Sequence, residues 1–155
     1  MNIFLLAVGT KMPDWVNKGY NEYAKRLNAD CRLKLIEIAP EKRGKNADLL
    51  KIKNQEGEKL LSAIPKACLV VALEVHGKSW STETLSQQLD SWLHGGQDVA
   101  LLIGGPEGLS DACVARADVK WSLSPLTLPH PLVRVLLSEQ LYRAYSILKN
   151  HPYHR

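Results

Sequence analysis

The feature that most constrains the fold is a regular alternation between short apolar runs and stretches of helical period. The run at residues 99–103 contains no polar side chain, as expected of a strand buried on both faces. Strands are predicted at residues 3–8, 33–38, 68–75, 98–103 and about 119–123, and helices at about 16–27, 46–64, 82–95, 109–117 and 131–150. This order predicts an α/β fold with a mostly parallel sheet and helices on both of its faces.

Length and hydropathy indicate one domain without a membrane segment. At 155 residues the chain can bury one core but is short for two, so residues 1–155 are expected to form a single domain. The longest apolar stretch, residues 67–73, is far shorter than the roughly 20 residues that cross a bilayer. Polar Thr10 and Lys11 follow closely on the N-terminus, so no signal peptide is predicted and a cytoplasmic location is expected.

Cysteine spacing and net charge bear on metals and partners. The three cysteines are far apart and form no C-x-x-C pair, so we expect reduced thiols and no metal site. A net charge of +4 is compatible with a polyanionic partner. Two groups of basic residues either contact RNA or are ordinary solvated surfaces. They are Lys42, Arg43 and Lys45 in one loop, and Arg134, Arg143, Lys149 and Arg155 in the last segment.

The last predicted helix is apolar over a wider arc than one sheet face requires. Leu137, Leu141 and Ala144 share a stripe with Leu136, and Tyr145 extends the apolar surface beyond it. A helix of this kind often packs against two surfaces, so a homodimer interface is predicted. The alternative is complete burial within one chain.

Ligands of open α/β sheets bind beyond the carboxyl ends of strands, and three such ends are unusual here. The first is residues 73–77. The second, residues 103–108, places Gly104, Gly105 and Gly108 after a buried strand, so backbone can approach a ligand, although many such turns only redirect the chain. The pattern is neither a phosphate loop nor G-x-G-x-x-G, so ATP hydrolysis is not expected and a dinucleotide cofactor is disfavoured.

The third strand end, residues 122–131, leads into the last helix and holds His130 at its start. The helix N-terminus disfavours an imidazolium, so a neutral imidazole that accepts a proton is one interpretation, and a local capping role is the other. One turn later, Arg134 either binds an RNA phosphate or base carbonyl or pairs with Glu139 or another carboxylate. The tail, with Tyr153 and His154, has a composition that suits a nucleic-acid base, although termini often fray.

Five segments in this order resemble the ribosomal large-subunit pseudouridine N3-methyltransferases of the SPOUT superfamily. The similarity covers nearly the whole chain and is far more specific than any one segment. The matching segments are residues 7–15 (AVGTKMPDW), 41–46 (EKRGKN), 101–109 (LLIGGPEGL), 126–134 (LTLPHPLVR) and 151–155 (HPYHR).

The resemblance implies a fold with a C-terminal trefoil knot, a homodimer, and S-adenosylmethionine as methyl donor. It implies as substrate a pseudouridine of 23S ribosomal RNA in the assembled ribosome. The donor site that it implies consists of residues from the three strand ends. These are Leu73, Gly104, Gly105, Leu123, Ser124, Pro125, Leu126, Thr127 and Leu128.

Methyl transfer to N3 of pseudouridine requires that the imide proton leaves, and the donor's methyl is attacked in line without a metal. The candidates for a base or for a group that stabilises the anion are His130, Arg134, Tyr153 and His154. The sequence leaves open which of them acts as the base, and whether the tail works in its own chain or in a partner.

Three other functions remain as alternatives. The chain could be a non-catalytic ribosome-binding or assembly factor, or a nucleotide-dependent oxidoreductase. A methyltransferase of the same superfamily with another acceptor, such as transfer RNA or protein, is also compatible, because donor loops do not specify the acceptor.

Overall fold

The computed structural model describes residues 1–27 and 30–155, and within them five strands alternate with five α-helices. The predicted α/β class is confirmed, and most element ends lie within a few residues of the expected ones. In chain order the elements are β1 (Asn2–Val8), α1 (Asp14–Ala24), β2 (Arg32–Ile38), α2 (Leu49–Ala63), β3 (Leu69–Ser79), α3 (Thr82–Gly95), β4 (Val99–Ile103), α4 (Asp111–Arg116), β5 (Val119–Ser122), α5 (His130–Leu148) and a 3₁₀ turn, Pro152–His154.

The five strands are all parallel, in the order β2-β1-β4-β3-β5. β1 is therefore flanked by β2 and β4, and Leu5 pairs with Leu35 on one side and Leu101 on the other. Because the strands are parallel, their carboxyl ends meet at one edge. The loops that follow β3, β4 and β5 lie side by side at this edge.

Helices cover both faces of the sheet and bury a separate core on each. Neighbouring residues of β1 point to opposite faces, so Leu5 joins one core and Leu6 the other. The first core packs beneath α1, α3 and α5, and the second beneath α2 and α4. The three cysteines are free and buried, as expected from their spacing.

Local signals explain where the helices begin and end. Asp48, Ser81 and Ser110 cap α2, α3 and α4 by accepting a hydrogen bond from a backbone N–H three residues later. Gly96, at φ 74°, ends α3 in the left-handed conformation that favours glycine. Pro65 follows the extended C-cap residue of α2.

β3 continues to Ser79, four residues beyond the predicted end. Its pairing with β5 shifts register after Leu73 and resumes where Lys78 meets Trp121, so residues 74–77 bulge out of the ladder. At Gly77 a Cβ atom would lie 2.7 Å from a backbone atom of Lys120, which explains the glycine. The knotted chain path stays a prediction.

Some apolar side chains remain exposed on the outer surface of α1 and α5, the helices that cover the first core. Leu132 and Leu136, one turn apart on α5, are 41% and 39% exposed, and Trp15 of α1 is 54% exposed. The rest of the α5 stripe is buried within the chain, including Leu137 and Leu141. In residues 1–27 and 30–155, no helix is long and apolar enough to cross a membrane.

Replacement of Gly57 by alanine is expected to destabilise the fold, although alanine favours helices. A Cβ at this position would lie 2.2 Å from Oγ of Ser110, the residue that caps α4. Overpacking of this kind costs about 1–3 kcal/mol, against a helix-propensity gain of about 1 kcal/mol. Urea unfolding should therefore give a lower free energy for Gly57→Ala. The matched control is Gly95→Ala, because a Cβ there meets nothing within 4 Å. It should leave stability unchanged or slightly higher, and an equal loss in both variants would contradict the packing argument.

Candidate active site

A cleft of about 1230 Å³ lies at the carboxyl edge of the sheet. Its walls come from the ends of β3, β4 and β5 and from the start of α5. Eight of the nine predicted donor-site residues line it, and Pro125 lies on the same loop outside the lining. The eight are Leu73, Gly104, Gly105, Leu123, Ser124, Leu126, Thr127 and Leu128.

The turn after β4, residues 104–108, which we call the glycine turn, brings backbone to the cleft. A Cβ on Gly104 would lie 2.4 Å from the carbonyl carbon of Gly108, so a side chain there would force the turn apart. The turn closes on itself, because the Gly108 N–H donates to the Gly105 carbonyl at 2.9 Å. Gly108 has φ +84°, which a residue with a side chain rarely adopts.

The loop after β5 folds through its own serines. The Leu126 N–H donates to Ser124 Oγ at 2.9 Å, and Ser122 Oγ donates to the Ser124 carbonyl at 3.2 Å. Leu123 and Leu128 pack against the first core, whereas Leu126 remains 72% exposed at the cleft. The loop therefore presents leucine side chains and backbone groups to whatever enters.

His130, the first residue of α5, is fixed by both ring nitrogens. Nε2 lies 2.9 Å from Nε of Arg134, which can only donate, so Nε2 accepts and the proton resides on Nδ1. Nδ1 then donates to the Gly104 carbonyl at 3.2 Å. Burial, with a further contribution from the charge of Arg134, lowers the pKa of His130. The ring is therefore neutral at neutral pH, chiefly because it is buried, and both of its nitrogens are engaged in hydrogen bonds.

Arg134 is fully buried, at 0% exposure. Its guanidinium donates to Glu37 Oε2 and to the Gly9 carbonyl, both at 2.8 Å, and its Nε donates to His130. Of the partners predicted for it, another carboxylate is the one observed, since Glu139 pairs with Arg143 instead.

The tail lies at the opposite end of α5. Tyr153 packs against Tyr142 at a ring distance of 4.7 Å, and its hydroxyl donates to Glu139 Oε1 at 3.1 Å. Burial and hydrogen bonds to Tyr23 and Glu139 raise the pKa of Tyr153, so the phenol keeps its proton. His154 Nδ1 lies 3.4 Å from Ser146 Oγ.

The structure brings His130 and Arg134 together but not the tail residues. The tail leaves α5 at its far end and folds back, so that the Tyr153 hydroxyl contacts Glu139 near the middle of the helix. Glu139 is nine residues after His130, which is about 13 Å along a helix axis. Within one chain neither Tyr153 nor His154 lines the cleft.

Several residues of the site carried no sequence signal. Glu37 is separated from Arg134 by 97 positions, and Arg43 pairs with Glu107 across 64 positions, so no local pattern links them. Val75 and Pro129 also line the cleft, and both belong to strand ends that the sequence predicted, although neither was among the nine predicted donor-site residues. In the part of the chain that the structure describes, no group of three or more His, Cys, Asp or Glu side chains could hold a metal ion.

Comparison with known proteins places the chain among full-length relatives. A protein of Thioalkalivibrio sulfidiphilus is 64% identical over 155 residues, which are 100% of this chain and 99% of that protein. A protein of Hahella chejuensis is 66% identical over the same shares of the two chains. Both are named "Ribosomal RNA large subunit methyltransferase H".

Solved structures share the fold at low identity. A methylase family protein from Haemophilus influenzae matches with a TM-score of 0.56 at 12% identity, over 99% of this chain and 70% of that one. A methyltransferase from Legionella pneumophila, solved with bound SAM, matches with a TM-score of 0.50 at 15% identity, over 93% of this chain and 66% of that one. The family model described as "Predicted SPOUT methyltransferase" matches residues 1–154. The chain therefore belongs to the SPOUT methyltransferase family.

Proposed function

We propose that this protein is an S-adenosylmethionine-dependent methyltransferase that methylates N3 of a pseudouridine in 23S ribosomal RNA of the assembled ribosome. The observation that carries the proposal is a cleft of backbone and leucine side chains at the carboxyl edge of the sheet. This cleft belongs to a chain 64–66% identical, over its full length, to proteins named ribosomal RNA large subunit methyltransferases.

The residues of the cleft fit the donor chemically. Leu73, Leu123 and Leu128 offer apolar walls for a flat purine ring, and the backbone around Gly104 and Ser124 offers polar groups for its edge. When bound, the donor supplies an electrophilic methyl group on its sulfonium. The fold match to a methyltransferase solved with bound SAM agrees with this assignment.

His130 and Arg134 are assigned positioning roles. Both nitrogens of His130 are engaged, so the ring fixes the Gly104 carbonyl at the cleft. Arg134 donates to Nε2 of His130 and so fixes the ring, while Glu37 balances the charge of Arg134. Reacting groups gain rate when their geometry is fixed before reaction, which is what this chain of contacts provides.

A homodimer would bring the tail of one chain to the cleft of the other. The exposed Leu132, Leu136 and Trp15 are apolar surface of the kind that a partner covers. Tyr153, which keeps its proton, would then exchange its hydrogen bond to Glu139 for one to the nucleobase. His154 is the tail residue assigned to accept the N3 proton.

Positive charge near the cleft supports RNA as the methyl acceptor, in addition to the names of the relatives. Exposed Lys42 and Lys45 belong to the loop before α2, and Lys53 lines the cleft, so cations stand beside the place where the donor binds. They would contact RNA phosphates. We also propose that the protein acts in the cytoplasm, where this substrate is found.

The direct test is transfer of labelled methyl from S-adenosylmethionine to ribosomes from a strain that lacks this gene. The expected product is N3-methylpseudouridine in 23S RNA, identified by mass spectrometry of nucleosides, with little label in protein-free RNA. Label in another nucleoside would refute the acceptor and keep the enzyme class. Donor binding without transfer to any RNA would point to a non-catalytic ribosome-binding protein.

Mixing two inactive variants tests whether the tail acts across a dimer. One variant lacks residues 151–155, and the other carries Gly104→Val, which disrupts the cleft. Each should be inactive alone. Mixed after dissociation, they should regain roughly a quarter of wild-type activity, because half of randomly paired dimers are mixed and each has one complete site of two. Failure to regain activity, with mixed dimers verified by mass, would refute action in trans.

The His130→Gln variant tests whether the His130 imidazole is neutral in the folded protein, with a hydrogen bond at each ring nitrogen. The folded-state pKa lies below the ordinary value of 6.5, so as pH falls through about 6.5 the unfolded chain takes up a proton that the folded chain does not. The wild type should therefore lose stability toward acid more steeply than His130→Gln, since glutamine can still accept from Arg134 and donate to Gly104. The measurement is urea unfolding between about pH 7.5 and pH 5.5. Curves that run parallel would contradict this assignment.

A further inference from the structure

One guanidinium outside the cleft joins the basic loop to the glycine turn. Arg43 lies between Lys42 and Lys45 in the basic loop, residues 39–48, and its Nε donates to Glu107 Oε1 of the glycine turn at 3.1 Å. Its other hydrogen bonds go to Glu107 Oε2 at 2.5 Å, to the two carboxylate oxygens of Glu56 at 3.0 Å each, and to the Glu41 carbonyl at 3.1 Å. All five N–H groups of this arginine are therefore engaged.

This network of hydrogen bonds lies directly against the glycine turn, which lines the cleft. Glu56 of α2 is only 2% exposed, and its second role is to accept the Glu41 N–H at 3.0 Å. A Cβ on Gly105 would lie 2.9 Å from Glu56 Oε1 and 3.3 Å from Arg43 Nη2. The backbone of the glycine turn thus rests on the Arg43–Glu56 pair, and Glu107 ties the turn to it from the side.

The two contacts of Arg43 have different consequences. Glu56 is a buried carboxylate and needs a cation for the fold, because an unpaired buried charge is strongly destabilising. Glu107 is less buried and lines the cleft, with a side-chain exposure of 20% against 3% for Glu56. Arg43 also lowers the pKa of Glu107, so this carboxyl stays ionised and paired. The Glu107 contact therefore serves the turn's position rather than the core.

We propose that Arg43 is a positioning residue for methyl transfer, which holds the glycine turn of the donor cleft and the lysines of the basic loop in one fixed arrangement. The inference rests on the proposed function and adds a link between the place where the donor binds and the place where RNA phosphate binds. Only arginine can make this link, since the three donors of a lysine cannot span two carboxylates and a carbonyl in one plane.

Two conservative variants separate this role from a structural one. Arg43→Lys keeps a cation beside Glu56 and loses the fork that reaches Glu107. Glu107→Gln removes the negative charge and one of the two acceptor oxygens that face Arg43, which breaks the paired contact from the other side, and it leaves the Arg43–Glu56 pair intact. The double variant completes a cycle, which measures whether the two residues act through each other.

The readouts are the Kd for S-adenosylmethionine by calorimetry, kcat and KM with ribosomes at saturating donor, and the urea unfolding midpoint. Each single variant is expected to bind the donor about tenfold more weakly and to lose about tenfold in kcat, and the double variant is expected to be no worse than either single one. Unfolding midpoints should remain near that of the wild type for Glu107→Gln. Lys59→Gln is the matched control, because it removes the Glu41–Lys59 ion pair of the same loop without contact to the glycine turn, and its donor Kd should be unchanged.

Three results would overturn the inference. Wild-type donor affinity and kcat in Arg43→Lys would leave Arg43 with a structural role only. Effects that multiply in the double variant would mean that Glu107 acts on the donor without Arg43. Equal loss of donor affinity in Lys59→Gln would assign the effect to general loosening of the loop. A wild-type protein that binds no S-adenosylmethionine would instead refute the proposed function, on which the inference rests.

Discussion

The architecture depends on one buried positive charge, that of Arg134. A guanidinium without solvent is tolerated only if its donors are matched, and here Glu37 supplies the counter-charge while Gly9 and His130 accept the remaining bonds. These partners come from the end of β1, from β2 and from the first residue of α5. One ion thereby fixes the start of the longest helix against the carboxyl edge of the sheet, where the cleft opens.

Polar contacts hold the glycine turn from both faces of the sheet. On the face covered by α5, His130 binds the Gly104 carbonyl. On the face covered by α2, Glu56 lies against Gly105 and Arg43 binds Glu107. A segment rich in glycine has high conformational freedom, so its order must come from its surroundings. The cleft is thus shaped by two cations, Arg134 and Arg43, through the backbone that they hold.

The fold was largely predictable because its main signals are local. The fully apolar run of β4 is visible in the sequence itself, and the loops after β3, β4 and β5 that line the cleft were predicted as strand ends that could bind a ligand. The pairings that give those residues their roles were not predictable, because they depend on partners far away in sequence. His130 illustrates the limit: a neutral imidazole was one of two interpretations of the sequence, and the bond from Arg134 that occupies Nε2 was not predicted. Nor could the bulge of β3 be read from residues 74–77, since it exists through pairing with β5.

The contact between Gly9 and Arg134 joins residues 125 positions apart, and this has a consequence for how the chain is made. At a synthesis rate of about 5–20 residues per second, Arg134 is made roughly 6–25 seconds after Gly9, and until then the contact at the end of β1 cannot form. For most of that time β1 can pair with β2 along one edge, while its other edge waits for β4, which is translated much later. Long-range parallel pairing is slow to form, and exposed strand edges aggregate. A methyltransferase of this fold therefore completes its cleft only after residues 123–134 have been translated, and the nascent segment before them is the part that chaperones would be expected to protect.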